Sequence, residues 1–279
     1  MIAPALETAY AKINLALHVR ARRADGYHQL ETVFAFLDQG DHLTCANSDR
    51  FSLTLSGKFA DGLADESVSD NLIFRAANLY AGGVAPAVAF CLEKSLPIAA
   101  GLGGGSADAA AALRLLNTCS SAPLPTERLL EIAALLGADV PACIGSVPVT
   151  GRGIGTMLEQ VENDVSGLSC LLVNPNKPLS TAPVFRAWDG LDRGPMPQGS
   201  ARDILLGGRN DLEIPAIRLC PEIAEILLFL KSTRPLVSRM SGSGATCFAL
   251  YEDAGMLEQV RTEISAMHPG WWTMAGQLR

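Results

Sequence analysis

Residues 101–106 read Gly-Leu-Gly-Gly-Gly-Ser, and they run directly into Ala107-Asp108-Ala109-Ala110-Ala111-Ala112-Leu113. The alanine- and leucine-rich stretch predicts a helix over 106–117, so the glycines fall where a loop enters a helix. Consecutive glycines lose more conformational freedom on folding than any other residues, and this place in the chain needs a reason for that cost. A loop without Cβ atoms lets several backbone N–H groups converge on one anion. The helix N-terminus adds unpaired N–H groups and the positive end of the helix dipole. Together they make a cradle for phosphate, with tight helix packing as the plainer use. A Walker loop is excluded, because no Lys follows the last glycine. A dinucleotide fingerprint fails too: Gly101-x-Gly103-x-x-Ser106 ends in Ser and lies deep in the chain.

The rest of the composition narrows the partners. The 279 residues carry 22 Lys+Arg against 29 Asp+Glu, a net charge of −7, which opposes a general nucleic-acid binder. A local cleft can still be basic on an acidic protein. No charge-free apolar run reaches the ~18 residues of a membrane span. The N-terminus has no basic segment followed by an apolar stretch and cleavage site. Seven scattered cysteines form no C-x-x-C pair, as expected of free thiols in a reducing cytosol, and the four histidines do not join them at zinc spacing. The length allows one large domain or two moderate ones.

Alternation predicts strands at 12–19, 34–37, 51–55, 88–92, 168–173, 237–240, 245–251 and 271–274. Helical patterns fall at 71–80, with Asp70 as its cap, from Thr126 to the terminator Gly137, at 181–188, 201–206 and 215–231, and at 253–267. Glycines rise at 150–155, where a domain boundary is placed. Strands alternating with helices, closing as β-loop-β-α-β, predict a two-layer α+β fold.

Four further segments carry chemistry. Lys12 and Asn14 share one face of the first strand. Either that face meets an anionic partner, or it is a solvated edge. Asp139, in Gly137-Ala138-Asp139-Val140-Pro141, is either a helix cap or a catalytic base. Tyr27 and His28 follow the Asp25-Gly26 turn, either to contact a ring or base or as a solvated hairpin tip. Ser241-Gly242-Ser243-Gly244 joins two strands, either as a flexible hairpin or to allow close backbone approach to a ligand or to the other domain.

In order, Ala11-Lys12-Ile13-Asn14-Leu15, Arg23-Ala24-Asp25-Gly26-Tyr27-His28, Pro97 to Ala109, Gly137 to Pro141, Asn210-Asp211-Leu212-Glu213 and Ser241 to Ala245 span nearly the whole chain. In these segments the chain resembles the superfamily of galactokinase, homoserine kinase, mevalonate kinase and phosphomevalonate kinase. The first two segments most resemble its cytidylyl-erythritol branch.

The resemblance implies ATP-dependent phosphorylation of the 2-hydroxyl of 4-diphosphocytidyl-2-C-methyl-D-erythritol, in the non-mevalonate route to isoprenoid precursors. It implies a ribosomal-protein-S5-like N-terminal domain, 1–155, and a ferredoxin-like C-terminal domain, 156–279, with the cleft between them holding both substrates. Lys12 and Asp139 match the catalytic pair. Pro97, Gly101, Leu102, Gly103, Gly104, Gly105, Ser106 and Ala107 match the ATP phosphate loop. Asn14, Tyr27, His28 and Phe185 match substrate-holding residues, and Gly242, Ser243 and Gly244 match a motif that closes over the site. Mg²⁺ is expected on ATP phosphates and water, with no protein ligand assigned. Thr156 stands where the family often has Glu. The expected protein is a cytoplasmic monomer or homodimer acting on small molecules, with no nucleic-acid or membrane partner. A homoserine or mevalonate type of kinase and a catalytically inactive nucleotide-binding relative are the alternatives.

Overall fold

The computed structural model describes residues 5–64 and 67–279. The N-terminal segment forms strands β1 (Ala5–Arg22), β2 (His28–Asn47) and β3 (Ser52–Ser56), helix α1 (Leu72–Tyr80) and strand β4 (Val88–Glu93). Helices α2 (Gly104–Cys119), α3 (Thr126–Leu136) and α4 (Val140–Gly145) follow, then strands β5 (Val149–Gly153), β6 (Met157–Gln160) and β7 (Ser169–Asn174). The remainder is α5 (Thr181–Arg186), α6 (Ala201–Gly207), α7 (Glu213–Leu219), α8 (Glu222–Ser232), β8 (Val237–Met240), β9 (Cys247–Tyr251), α9 (Ala254–Met267) and β10 (Trp272–Gln277).

The chain packs as two compact units, and β1 and β2 each contribute residues to both. The first unit takes the residues up to Ala11, Gly40–Ile98 and Gly103–Ser146. In it β2 pairs antiparallel with β4 from His42 to Asn47, and β3 pairs parallel with β4. α2 packs against α1, α3 and α4. Its alanine run suits that place: Ala109 to Ala112 are wholly buried, and only small side chains let three helices approach one.

The second unit takes Lys12–Gln39, Ala99–Leu102 and Val147–Arg279. In it β2 pairs with β5 from Leu30 to Phe34, and β5 with β6. A four-stranded antiparallel sheet has the order β10-β7-β9-β8. Helices α8 and α9 pack on it. The chain order β7-α8-β8-β9-α9-β10 in that spatial order is the ferredoxin-like β-α-β-β-α-β topology, the fold expected for this half of the chain. Ile223, Ile226, Leu230, Val260 and Ile264 close its core.

Three local expectations are corrected. The helix expected over 215–231 is two helices, α7 and α8, because Pro221 removes an N–H and clashes with the preceding turn. The cap of α1 is Asn71 rather than Asp70: its side chain accepts from the Ile73 N–H at 2.9 Å. The segment after Asp139 forms the short helix α4, which its proline had obscured.

Candidate active site

β1 is buried without interruption from Ala11 to Val19, so Lys12 and Asn14 are 4% and 3% exposed. The solvated-edge alternative therefore fails for this strand. Lys12 Nζ donates to Asn14 Oδ1 at 3.0 Å and lies 5.0 Å from the centre of the Phe34 ring. Asn14 Nδ2 donates to Thr32 Oγ1 at 2.8 Å. The Thr32 hydroxyl gives its own proton to the Ala16 carbonyl at 2.6 Å, leaving its oxygen free to accept. This chain of bonds fixes which end of the Asn14 amide faces the ammonium. Thr32 had no sequence signal, since its partners lie 16 and 18 residues away.

The same strand meets both glycine motifs within the second unit. The Lys12 N–H donates to the Leu102 carbonyl at 3.0 Å. The Asn14 N–H donates to Ser241 Oγ at 3.2 Å, and that hydroxyl donates to the Gly101 carbonyl at 2.8 Å. Gly101 has φ +77°, and a Cβ there would lie 2.4 Å from the Ser241 carbonyl oxygen. A Cβ on Gly242 would lie 3.3 Å from Asn14 Oδ1. The Ser241–Gly244 turn is thus packed closely against Gly101 and Asn14 of its own unit, and the flexible-hairpin alternative falls. Asn210 Nδ2 holds the turn through the Met240 and Gly242 carbonyls, both at 2.8 Å. Ser243 Oγ meets Thr181 Oγ1 at 2.9 Å.

In the first unit, Gly103 caps α2 in a left-handed conformation, φ +62°, which favours glycine. The helix begins at Gly104, so the N–H groups of Gly104, Gly105 and Ser106 belong to its first turn, where the helix supplies no acceptor. Ala107 opens the intrahelical ladder, donating to the Gly103 carbonyl at 2.8 Å. Pro97 lies in the same unit. So does Asp139, at the N-cap position of α4, where its side chain makes no capping bond.

A third group gathers around His28. Its ring centroid lies 5.0 Å from Phe185 and 5.7 Å, edge-on, from Trp188. Burial, then the Arg22 charge, holds its pKa below the usual imidazole range. His28 is therefore neutral at pH 7. His28 Nε2 and Trp188 Nε1 are buried and have no hydrogen-bond partner among the described residues. Trp188 was not singled out by sequence, although a Trp three residues after Phe185 on one helical run is a readable signal. Tyr27 stands apart from this group at 61% exposed, its N–H held by Asp25 Oδ1 at 3.1 Å.

The chain matches the GHMP kinases N terminal domain over residues 71–146 and the GHMP kinases C terminal model over 199–270. It is 52% identical over 273 residues to a 4-diphosphocytidyl-2-C-methyl-D-erythritol kinase of Novosphingobium aromaticivorans, covering 98% of this chain and 92% of that one. It is 50% identical over 279 residues to the enzyme of the same name from Erythrobacter litoralis, covering 98% and 99%. A crystal structure of 4-(cytidine 5'-diphospho)-2C-methyl-D-erythritol kinase superposes with a TM-score of 0.83 at 33% identity, covering 98% of this chain and 99% of that one. The Methanococcus jannaschii mevalonate kinase, at TM-score 0.70 and 9% identity with 99% of each chain covered, shares the fold. Full-length identity at this level, joined to both kinase models and to a buried Lys12 beside two glycine turns, makes the chain a member of the 4-diphosphocytidyl-2-C-methyl-D-erythritol kinase family within the GHMP kinases.

Proposed function

We propose that the protein transfers the γ-phosphoryl group of ATP to the 2-hydroxyl of 4-diphosphocytidyl-2-C-methyl-D-erythritol, a step in making isoprenoid precursors. The observation that carries this reading is the buried Lys12, oriented by Asn14 on a strand whose backbone bonds to the glycine loop at Leu102. An ammonium held in one orientation beside the glycine loop suits the charge of a transferring phosphoryl group. In the proposed step Asp139 takes the proton of the 2-hydroxyl as that oxygen forms a bond to the γ-phosphorus. The bond from the γ-phosphorus to the bridging oxygen breaks, and ADP leaves with the electron pair. Lys12 attracts the negative charge that grows on the transferring group.

The N–H groups at the start of α2, with Pro97 and Gly101 to Ala107, are assigned to the ATP phosphates. Backbone N–H groups and the Ser106 hydroxyl suit phosphate oxygens. Mg²⁺ would accordingly be held mainly by those oxygens and by water, where it would neutralise phosphate charge. His28 and Phe185 are assigned to the cytosine ring, with Tyr27 at the exposed rim and Asn14 beside the sugar-like end. Gly242, Ser243 and Gly244 complete the substrate-facing turn. Residues 1–155 and 156–279 are taken as the two domains along the sequence, supported by family models that match on either side of that boundary, while the second compact unit also draws in Lys12–Gln39, Ala99–Leu102 and the residues from Val147. A cytoplasmic enzyme fits seven cysteines that are all free thiols.

The test is ATP consumption with the cytidylyl substrate, homoserine and mevalonate in parallel. Turnover confined to the cytidylyl substrate is expected. Turnover with one of the others alone would sink the assignment.

A further inference from the structure

Beneath the glycine loop lies an ion cluster that none of the roles above uses. Lys94, just before the loop, is 3% exposed at its side chain, and Asp41 is wholly buried. Lys94 Nζ donates to Asp108 Oδ2 at 2.7 Å and to Asp41 Oδ2. Asp41 Oδ1 accepts from the N–H groups of Ser95 at 2.6 Å and Leu96 at 2.8 Å. Lys94 and Asp108 are 14 residues apart and belong to the same unit. Their bond therefore closes the base of the segment that carries the glycines. The ammonium also sits directly against the start of α2: a Cβ on Gly104 would lie 3.1 Å from Nζ.

Two buried carboxylates here share one ammonium, and Asp108 Oδ1 has no hydrogen-bond partner among the described residues. Such a cluster is a poor source of stability, because desolvation of the charges offsets their attraction. It suits a different purpose. A glycine loop is the segment most costly to order, and pinning both its ends removes much of that freedom before a ligand arrives.

We propose that Lys94, Asp41 and Asp108 are positioning residues for the phosphate-binding turn. They hold the first turn of α2 against residues 94–96, so that the N–H groups of Gly104, Gly105 and Ser106 face the phosphates in one fixed arrangement. The proposal rests on the assignment of this loop to ATP.

Steady-state kinetics of Asp108→Ala and Asp108→Asn test it beside Gly103→Val. Asp108→Ala raises KM for ATP about tenfold, the scale of one lost hydrogen bond to a charged group, with kcat within about twofold. KM for the alcohol substrate does not change. Asp108→Asn, whose carbonyl oxygen still accepts from Lys94, recovers most of the loss. If Asp108→Ala does not fold, Asp108→Ser, too short to reach the ammonium, is read in the same way. An unchanged KM for ATP in the folded variant overturns the proposal, and so does an equal rise in both KM values. Gly103→Val separates the two failures. If it leaves KM for ATP unchanged, the loop is not the phosphate site and the proposal falls with it. If it raises KM while Asp108→Ala does not, the loop assignment survives and the cluster is merely structural.

Discussion

Gly101 and Ser241 hold each other through backbone and side chain at once. The Ser241 hydroxyl donates to the Gly101 carbonyl at 2.8 Å, while the missing Cβ of Gly101 leaves room for the Ser241 carbonyl. Gly101→Ala would place a methyl group 2.4 Å from that oxygen, at a φ of +77°. Left-handed strain and overpacking together predict a loss of about 2–4 kcal/mol. The urea midpoint should fall, and activity with it. A midpoint equal to that of the unsubstituted protein would mean the two segments part freely.

Asp139→Asn keeps the size of the side chain and removes its basicity. At least roughly a 100-fold loss in kcat is expected, the scale of a lost general base. ATP binding, measured by calorimetry, should persist. Near-normal turnover would remove Asp139 from the mechanism.

His28 lies in a partly buried aromatic group that holds its pKa low. His28→Ala should raise KM for the cytidylyl substrate several-fold and leave KM for ATP within about twofold, because truncating a ring contact and a buried hydrogen-bonding atom affects only the ligand they face. Protonation adds a second readout. The unfolded chain binds a proton at this residue more readily than the folded one does, so its contribution to stability is full above about pH 6.5 and declines as pH falls through the folded value. Substrate KM should be flat from neutral pH upward and rise only in acid. Equal effects of His28→Ala on both substrates would make the residue structural.

Asp108 responds to pH in the opposite sense. Burial first, and then the nearby Asp41 charge, outweigh Lys94 and raise its pKa to about 7. Between its unfolded value near 4 and this folded value, the native state holds the extra proton. Stability from this group is therefore full at low pH and is lost as pH rises towards 7. Thermal melts of Asp108→Asn across that range should lose this downward component relative to the unsubstituted protein. Parallel curves for the two proteins would contradict the raised pKa.

Arg239 shows how a charge is kept in the core. Burial lowers its pKa to about 10, and it remains charged at neutral pH. Its guanidinium donates to the carbonyls of Leu15, Leu205 and Gly208. Arg239→Met leaves those buried acceptors unpaired, and a loss of about 3 kcal/mol or more is expected in urea unfolding. A loss under about 1 kcal/mol, the size of one ordinary hydrogen bond, would show that water replaces the guanidinium.

Much of this protein was readable along the chain. Gly101 to Ser106 against an alanine-rich helix, the alternation of β1, and the helical pattern of α9 are local patterns, set by backbone freedom and side-chain period. The order of strands and helices showed a two-layer α+β fold, and the resemblance to the kinase superfamily implied its ferredoxin-like half. The family's motifs marked Lys12, Asp139 and His28 as residues to follow. Only the tertiary structure decided what those residues face. Alternation alone left the polar face of β1 either solvated or buried, and the packing of the second unit buried it. Thr32 came into view only when distant segments met, and so did the bonds of Asn210 to the Ser241–Gly244 turn and the ring contact of Trp188 with His28. The partners of Lys94 were likewise hidden, because Asp41 and Asp108 lie 53 and 14 residues away. Periodicity reports which side of an element a residue occupies. Desolvation and hydrogen bonding depend on what lies opposite, and that is a property of the folded chain.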